Sequence, residues 1–305
     1  MRNNVRIIPR LDIKGPNLIK GIQFDGNRVL GTAEEFAEIY YSAGADELIY
    51  QDAVASLYRR NSLFEIIERT AKKIFIPLTV AGGIRSIEDI RSILRAGADK
   101  VAINTAAIEN PKLLYDASKV FGSQCIVSSI ETFRRDDGRY EVWVDYGREP
   151  SGVDAIEWAK KVEDLGAGEI LLTSINRDGM GNGFDIELIN KISTMVSIPV
   201  IACSGAGNSS DFTKAVKEGA ADAVAAASIF HYYYAMPKEG YTMQFNEKAL
   251  RLGRHIDAGN IDFLRNGYGG QKAIMVEPCS IMEVKNSLIE AGISTRVESL
   301  MSEVS

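Results

Sequence analysis

Gly44-Ala-Asp-Glu-Leu-Ile-Tyr50 reappears as Gly166-Ala-Gly-Glu-Ile-Leu-Leu172, 122 positions later. Ile76-Pro-Leu-Thr-Val-Ala-Gly-Gly83 returns as Ile198-Pro-Val-Ile-Ala-Cys-Ser-Gly205 at the same offset, and Gly97-Ala-Asp-Lys-Val-Ala102 resembles Ala220-Ala-Asp-Ala-Val-Ala225 one position further on. Self-similarity at a fixed long period marks a duplicated structural unit. Short apolar runs recur at Val5 to Ile8, Glu47 to Tyr50, Ile76 to Val80, Lys100 to Ile103, Gln124 to Ser128, Glu169 to Thr173, Val200 to Ala202 and Ala223 to Ala226, with amphipathic stretches between them. Strands alternating with helices predict a parallel sheet, and eight of them in two matching sets of four predict an α/β fold, a (β/α)8 TIM barrel built from two similar half-barrels. An open doubly wound sheet is the structural alternative.

The chain has 305 residues, 46% hydrophobic and 25% charged, which suits one large domain over residues 1–305. The repeat breaks after His231, so 232–279 reads as an insertion on the catalytic face before the last helix, with a possible short helix at Asn246 to Arg254. Ser280 to Ala291 then reads as that final barrel helix, stopped by Gly292. A net charge of −6 offers no basic field for nucleic acid. No stretch approaches the ~20 apolar residues that span a bilayer, and three well-separated cysteines, Cys125, Cys203 and Cys279, fit a reducing compartment, so a cytoplasmic location is expected. Neither cofactor nor metal is expected.

In barrels of this kind, chemistry sits where the strands end. Gly82-Gly83 ends the third strand and Ser204-Gly205 the seventh, each before a helix whose N–H groups can receive an anion. Asn104-Thr105 after the fourth strand and Ala227-Ser228 after the eighth complete two polar cups, which predicts a substrate with a phosphate at each end. Between the cups, Asp12 and Glu131 close the first strand of each half, and two facing carboxylates can divide acid and base work. Asp52 and Asp178 add acidity to the rim, with Lys20 on the first loop as a phosphate contact. At the other end of the barrel, Arg6, Glu47, Lys100 and Glu169 open strands 1, 2, 4 and 6; a salt-bridge layer and a gate into the barrel axis both fit those residue types. His231 and His255 have no arrangement suggesting a triad or metal site. Trp143, Trp158 and Tyr40-Tyr41 read as packing, and Arg134 to Arg139 as a charged hairpin turn.

Arg10-Leu-Asp-Ile-Lys14, Asp99-Lys-Val-Ala-Ile-Asn-Thr-Ala-Ala107, Phe121-Gly-Ser-Gln124, Gly166-Ala-Gly-Glu-Ile-Leu-Leu-Thr-Ser-Ile175 and Arg177-Asp-Gly179 together resemble the cyclase subunit family of imidazole glycerol phosphate synthase. The likeness covers about Val5 to His231 and resumes near Ser280 to Val297. It implies a glutaminase partner in a heterodimer, docked on the N-terminal face. It also implies ammonia passing a charged gate and travelling through the barrel to a doubly phosphorylated ribulosyl-formimino carboxamide nucleotide, in histidine biosynthesis. By that resemblance Arg6, Glu47, Lys100 and Glu169 match the gate, Asp99 and Gln124 the glutaminase interface, and Asp12 the first catalytic aspartate. Gly82, Gly83, Asn104, Gly205 and Ser228 fall in its phosphate-binding segments. The chain departs from the family near the substrate: Glu131 stands where the second catalytic aspartate is usual, Ala81, Cys203 and Ser204 replace smaller or glycine residues, and Pro9-Arg10 alters the approach to Asp12.

The leading expectation is therefore an ammonia-using cyclase. A paralogue that amidinates another substrate, such as a nucleotide-linked surface sugar, shares the partner and differs in the pocket. A phosphate-sugar isomerase of the half-barrel type would need the two acids without the gate. A silent subunit would only activate a glutaminase.

Overall fold

The computed structural model describes residues 4–55, 63–235 and 276–297. Among the described residues, twelve strands lie in one sheet: β1 (Arg6–Lys14), β2 (Asn17–Ile22), β3 (Asp25–Thr32), β4 (Leu48–Asp52), β5 (Leu78–Ala81), β6 (Lys100–Ile103), β7 (Ile126–Arg134), β8 (Tyr140–Val144), β9 (Glu149–Asp154), β10 (Glu169–Ser174), β11 (Val200–Cys203) and β12 (Ala223–Ala226). Eight of them form a closed parallel ring, β1-β4-β5-β6-β7-β10-β11-β12 and back to β1. The two seams between halves are in register from Val101 opposite Ile126 to Ile103 opposite Ser128 and from Arg6 opposite Ala223 to Pro9 opposite Ala226. Helices α1 (Ala33–Ser42), α2 (Phe64–Ala71), α3 (Ile87–Arg95), α4 (Thr105–Glu109), α5 (Lys112–Phe121), α6 (Ala155–Asp164), α7 (Ile186–Ser193), α8 (Ser209–Lys217), α9 (Ser228–Ala235) and α10 (Ile281–Glu290) follow the barrel strands. No helix among the described residues is long and apolar enough to cross a membrane.

Strand parity decides what enters the bore, because successive side chains point to opposite faces. On β1, Ile7, Leu11 and Ile13 join the apolar layer shared with the helices, whereas Ile8 faces inward with Ile49, Ala81, Ala102, Val127, Leu171, Ile201, Cys203, Ala223 and Ala225. Arg6, Arg10 and Asp12 share the parity of Ile8, so one strand carries a cation at the bottom, an apolar plug, a second cation and a carboxylate at the top. The bore is a packed core rather than an open pore.

The first and fifth barrel strands run further than their apolar cores suggest and turn back in hairpins, of which the sequence reading placed only the turn after the fifth strand. β2 pairs antiparallel with β1 and then β3, and β8 pairs antiparallel with β7 and then β9. The expected charged turn between Arg134 and Arg139 is the link from β7 to β8, with Arg134 opposite Tyr140. The tip of the first hairpin is Gln23-Phe24 at φ 49° and 64°; the second turns at Asp145-Tyr146, φ 52° and 59°, 122 positions later. Left-handed conformations in two consecutive residues suit a tight hairpin turn but are uncommon without glycine. Each hairpin then feeds a helix through an N-cap, Thr32 for α1 and Asp154 for α6, again 122 apart.

Gln124, expected to open the fifth strand, instead lies in the 3-10 turn Ser123–Cys125 ahead of β7. Of the expected insertion, Tyr232 to Ala235 complete α9. At its other end Val276 is buried and the Glu277 amide donates to the Gly207 carbonyl at 2.7 Å. Residues 236–275, including the short helix expected at Asn246 to Arg254 and His255, lie outside the described residues. The last helix forms as expected: Ser280 and Glu283 make a reciprocal capping box, and Gly292 leaves at φ 76°. It is tied to the barrel floor by Lys285, buried and 2.7 Å from Asp46, whose other oxygen accepts from the Ile7 amide at 2.8 Å.

Candidate active site

Parity brings Asp12 and Glu131 into the barrel mouth from β1 and β7, both almost wholly buried. Asp12 sits between two cations. Its Oδ1 accepts from Arg10 Nε at 3.0 Å, with Arg10 Nη2 at 2.9 Å, and its Oδ2 lies 3.6 Å from Lys20 Nζ. Lys20 holds Asp178 at 2.8 and 3.1 Å, and the Ser204 hydroxyl donates to Asp178 at 3.0 Å. Burial works against both cations, but for Lys20 the nearby Asp178 and Asp12, and for Arg10 chiefly Asp12, more than offset it, so both pKa values end above their ordinary range.

Glu131 has the opposite environment. Burial pushes its pKa up to about 7 against the pull of Arg10, and the Asp12 charge adds to the rise. Its Oε2 is buried with no hydrogen-bond partner, which suits a carboxyl that carries a proton near neutral pH. Two carboxylates in one mouth thus have different surroundings, the arrangement that separates an acid from a base.

The two cups are unequal. On the side of β5 and β6 a cavity of about 320 Å³ is lined by Asp52, Gly82, Gly83, Asn104, Thr105, Glu131 and Tyr146. Gly82 stands at φ 98°, and a side chain there would meet the Asp52 carbonyl at 2.5 Å, so this turn requires glycine. On the side of β11 and β12 only about 20 Å³ remains among Arg10, Lys20, Asp178, Ser204, Gly205, Ala227 and Ser228. That is room for one water. Ser204 holds a left-handed φ of 80° while bonded to Asp178, and its side chain occupies space that Gly82 leaves empty in the other half.

Several expected contacts are already committed to the fold. Asp52 accepts from the Val54 and Ala55 amides at 3.0 and 2.9 Å. Asn104 donates to the Trp143 carbonyl at 2.9 Å, and Thr105 accepts from the Asp145 amide at 3.0 Å, so both fasten the second hairpin. The hairpin tips meet above the mouth, Phe24 and Tyr146 having ring centroids 4.6 Å apart, with Arg10 beneath Phe24 at 5.3 Å. Phe24, Tyr146, Gln51 and Ser129 were not anticipated as site residues. The signal was the recurrence at 122 positions of two turns that lack strong similarity in residue type. His231 is fully buried against Tyr40, whose hydroxyl meets its Nδ1, and burial holds its pKa at about 3. The imidazole is therefore neutral and packed. Trp158 lies on the buried face of α6, and Trp143 packs on Phe133 with ring centroids 4.8 Å apart.

At the N-terminal end the four opening charges close into a ring. Arg6 binds Glu47 at 2.7 Å and also Glu169, while Lys100 binds Glu47 at 3.2 Å and Glu169 at 3.0 Å. Burial opposes the charge on Arg6, and the two glutamates hold its pKa above the ordinary value. Asp99 and Gln124 are exposed near this end, with Asp99 accepting from the Leu78 amide at 2.9 Å.

A closed eight-stranded barrel with acids at one end and a charged ring at the other defines a class, and comparison with known proteins assigns the family. A sequence model described as "Histidine biosynthesis protein" matches residues 6–235. The chain is 59% identical over 210 residues to the imidazole glycerol phosphate synthase subunit HisF of Legionella pneumophila, covering 69% of this chain and 99% of that one. It is 48% identical over 227 residues to the subunit of that name from Alkaliphilus metalliredigens and 49% over 245 residues to that from Methanopyrus kandleri, each covering 74% of this chain and 90% of the relative. The chain belongs to this family, the cyclase subunits of imidazole glycerol phosphate synthase.

Proposed function

We propose that this chain is the cyclase subunit of a two-subunit amidotransferase in histidine biosynthesis, paired in the cytoplasm with a glutaminase that docks over the charged ring. The observation carrying this reading is that the Arg6–Glu47–Lys100–Glu169 ring and the Asp12–Glu131 pair stand at opposite ends of one bore. Ammonia released at the ring would cross the apolar layer and meet the substrate at the mouth. Asp99 and Gln124, exposed beside the ring, would contact the glutaminase.

The substrate would be the doubly phosphorylated ribulosyl-formimino carboxamide nucleotide, leaving as imidazole glycerol phosphate and an aminoimidazole carboxamide ribonucleotide. Glu131, protonated near pH 7, supplies a proton to the leaving nitrogen; Asp12 accepts one from the attacking amine. Gly82, Gly83, Asn104 and Thr105 would receive one phosphate. Gly205, Ala227 and Ser228 would receive the other, which has to compete with Asp178 for Lys20 and displace Ser204. The purified protein given ammonium salt and this nucleotide should consume it, and Asp12→Asn should abolish that turnover. No turnover by folded protein, with turnover appearing in Glu131→Asp, would reject the assignment.

A second reading has its own support. The filled β11–β12 cup, the buried Arg10 and the longer acid at Glu131 all change the substrate side while leaving the ring intact. They favour a relative that adds the same ammonia to another molecule, such as a nucleotide-linked sugar with a single phosphate-bearing end. Ammonium-dependent loss of such a sugar nucleotide, and not of the histidine-pathway nucleotide, would decide for it.

A further inference from the structure

We infer that ammonia reaches the mouth on one side of the bore only, along β5 to β7, and emerges beneath Glu131, because Arg10 fills the opposite side. This rests on the ammonia-using reading above.

The two halves place different residues at one position. Two residues before the carboxylate, β1 carries Arg10 and β7 carries Ser129. Arg10 is buried, and its Nη1 reaches across the interior to Thr173 Oγ1 on β10 at 3.4 Å and to Cys203 Sγ on β11 at 3.7 Å. A guanidinium braced on three strands and roofed by Phe24 closes the β10–β12 side of the bore. At the same height on the other side the residues are small. Ala81, Ala102 and Ser129 face the 320 Å³ cavity, and Ala81 and Ala102 also belong to the inward apolar layer with Ile8, Val127 and Leu171. The cavity therefore rests directly on the apolar layer on this side, and on the other side a fixed cation intervenes.

The chemistry agrees with the geometry. Ammonia is small and neutral and crosses an apolar layer without a counter-ion. Ammonium pays the full cost of leaving water and is also repelled by Arg10. The open side delivers the neutral form next to Glu131, whereas Asp12 stays bound to Arg10 and faces the substrate. Arg10 thus acts as a positioning residue: it steers the nucleophile and fixes the base.

Two measurements test this separately. Crystals of the chain under xenon should show xenon against Ala81 and Ala102, since small apolar voids bind it; xenon beside Thr173 and Cys203 instead would overturn the inference. With the glutaminase subunit bound, Val127→Phe, in the apolar layer and outside the cavity lining, should reduce glutamine-driven turnover at least tenfold while ammonium-driven turnover, supplied from the mouth, stays within twofold. Val127→Leu repeats the block with a smaller added volume in case Val127→Phe does not fold. Equal loss of both activities, or of neither, would contradict the route. A wild-type chain inactive with ammonium would instead refute the functional reading, and the xenon positions would still decide the route.

Discussion

The two half-barrels share a backbone and differ in what they put into it. Gln23-Phe24 and Asp145-Tyr146 make the same left-handed turn, and Thr32 and Asp154 cap the same helix, each pair 122 residues apart. Yet at matching positions Arg10 faces Ser129, Ala81-Gly82 faces Cys203-Ser204, and Asp46 faces Gly168. One half keeps an open cup and a small-residue floor; the other is filled by hydroxyl, thiol and guanidinium. Duplication supplies the frame, and a few side chains of greater volume decide which side of the mouth is accessible.

Removing either acid should have the largest effect. Asp12→Asn and Glu131→Gln should each lower ammonium-dependent turnover by about 10²- to 10⁴-fold, the usual contribution of a positioned acid or base. Equal retention of activity in both would show that the halves do not divide the chemistry. Next comes the Lys285–Asp46 pair, which has no counterpart in the second half because Gly168 lies there. Lys285→Met leaves a buried carboxylate unpaired and should cost about 3–5 kcal/mol in chemical denaturation.

Glu131 makes a pH prediction with a defined sign. Its folded pKa is raised to about 7 from 4.5, so its favourable contribution is complete below pH 4.5 and is lost as pH rises through 7. Wild-type stability should fall relative to Glu131→Gln by on the order of 3 kcal/mol at most across that window, and turnover should decline on the alkaline side of about pH 7. A flat difference between the two proteins would mean that Glu131 is charged throughout. Ser204→Gly should have the smallest effect on stability, within about 1 kcal/mol, because relief of a left-handed backbone offsets a lost hydrogen bond to Asp178.

The barrel was legible because its repeat lies in the strands, where alternation and burial restrict the residues. The charged ring could be found as well, since Arg6, Glu47, Lys100 and Glu169 all open strands, although residue types alone left its purpose open. Of the hairpins, only the charged turn between Arg134 and Arg139 was legible. Their strands carry Gly, Asp, Pro and Glu, and their turns repeat in backbone angle with little repetition in chemistry, Gln-Phe in one half and Asp-Tyr in the other. Asn104 and Thr105 were placed correctly at the rim, but their bonds to Trp143 and Asp145 depend on a hairpin some 40 residues away. The filling of one cup by Ser204 and Arg10 depends on side-chain volume across the bore, which no local pattern records.

The inequality of the halves can be measured directly by titrating inorganic phosphate into the wild-type chain and the Ser204→Gly variant, followed by calorimetry. One site in the wild type, in the β5–β6 cup, and a second appearing in Ser204→Gly is the predicted result. Two sites of equal affinity in the wild type would contradict it.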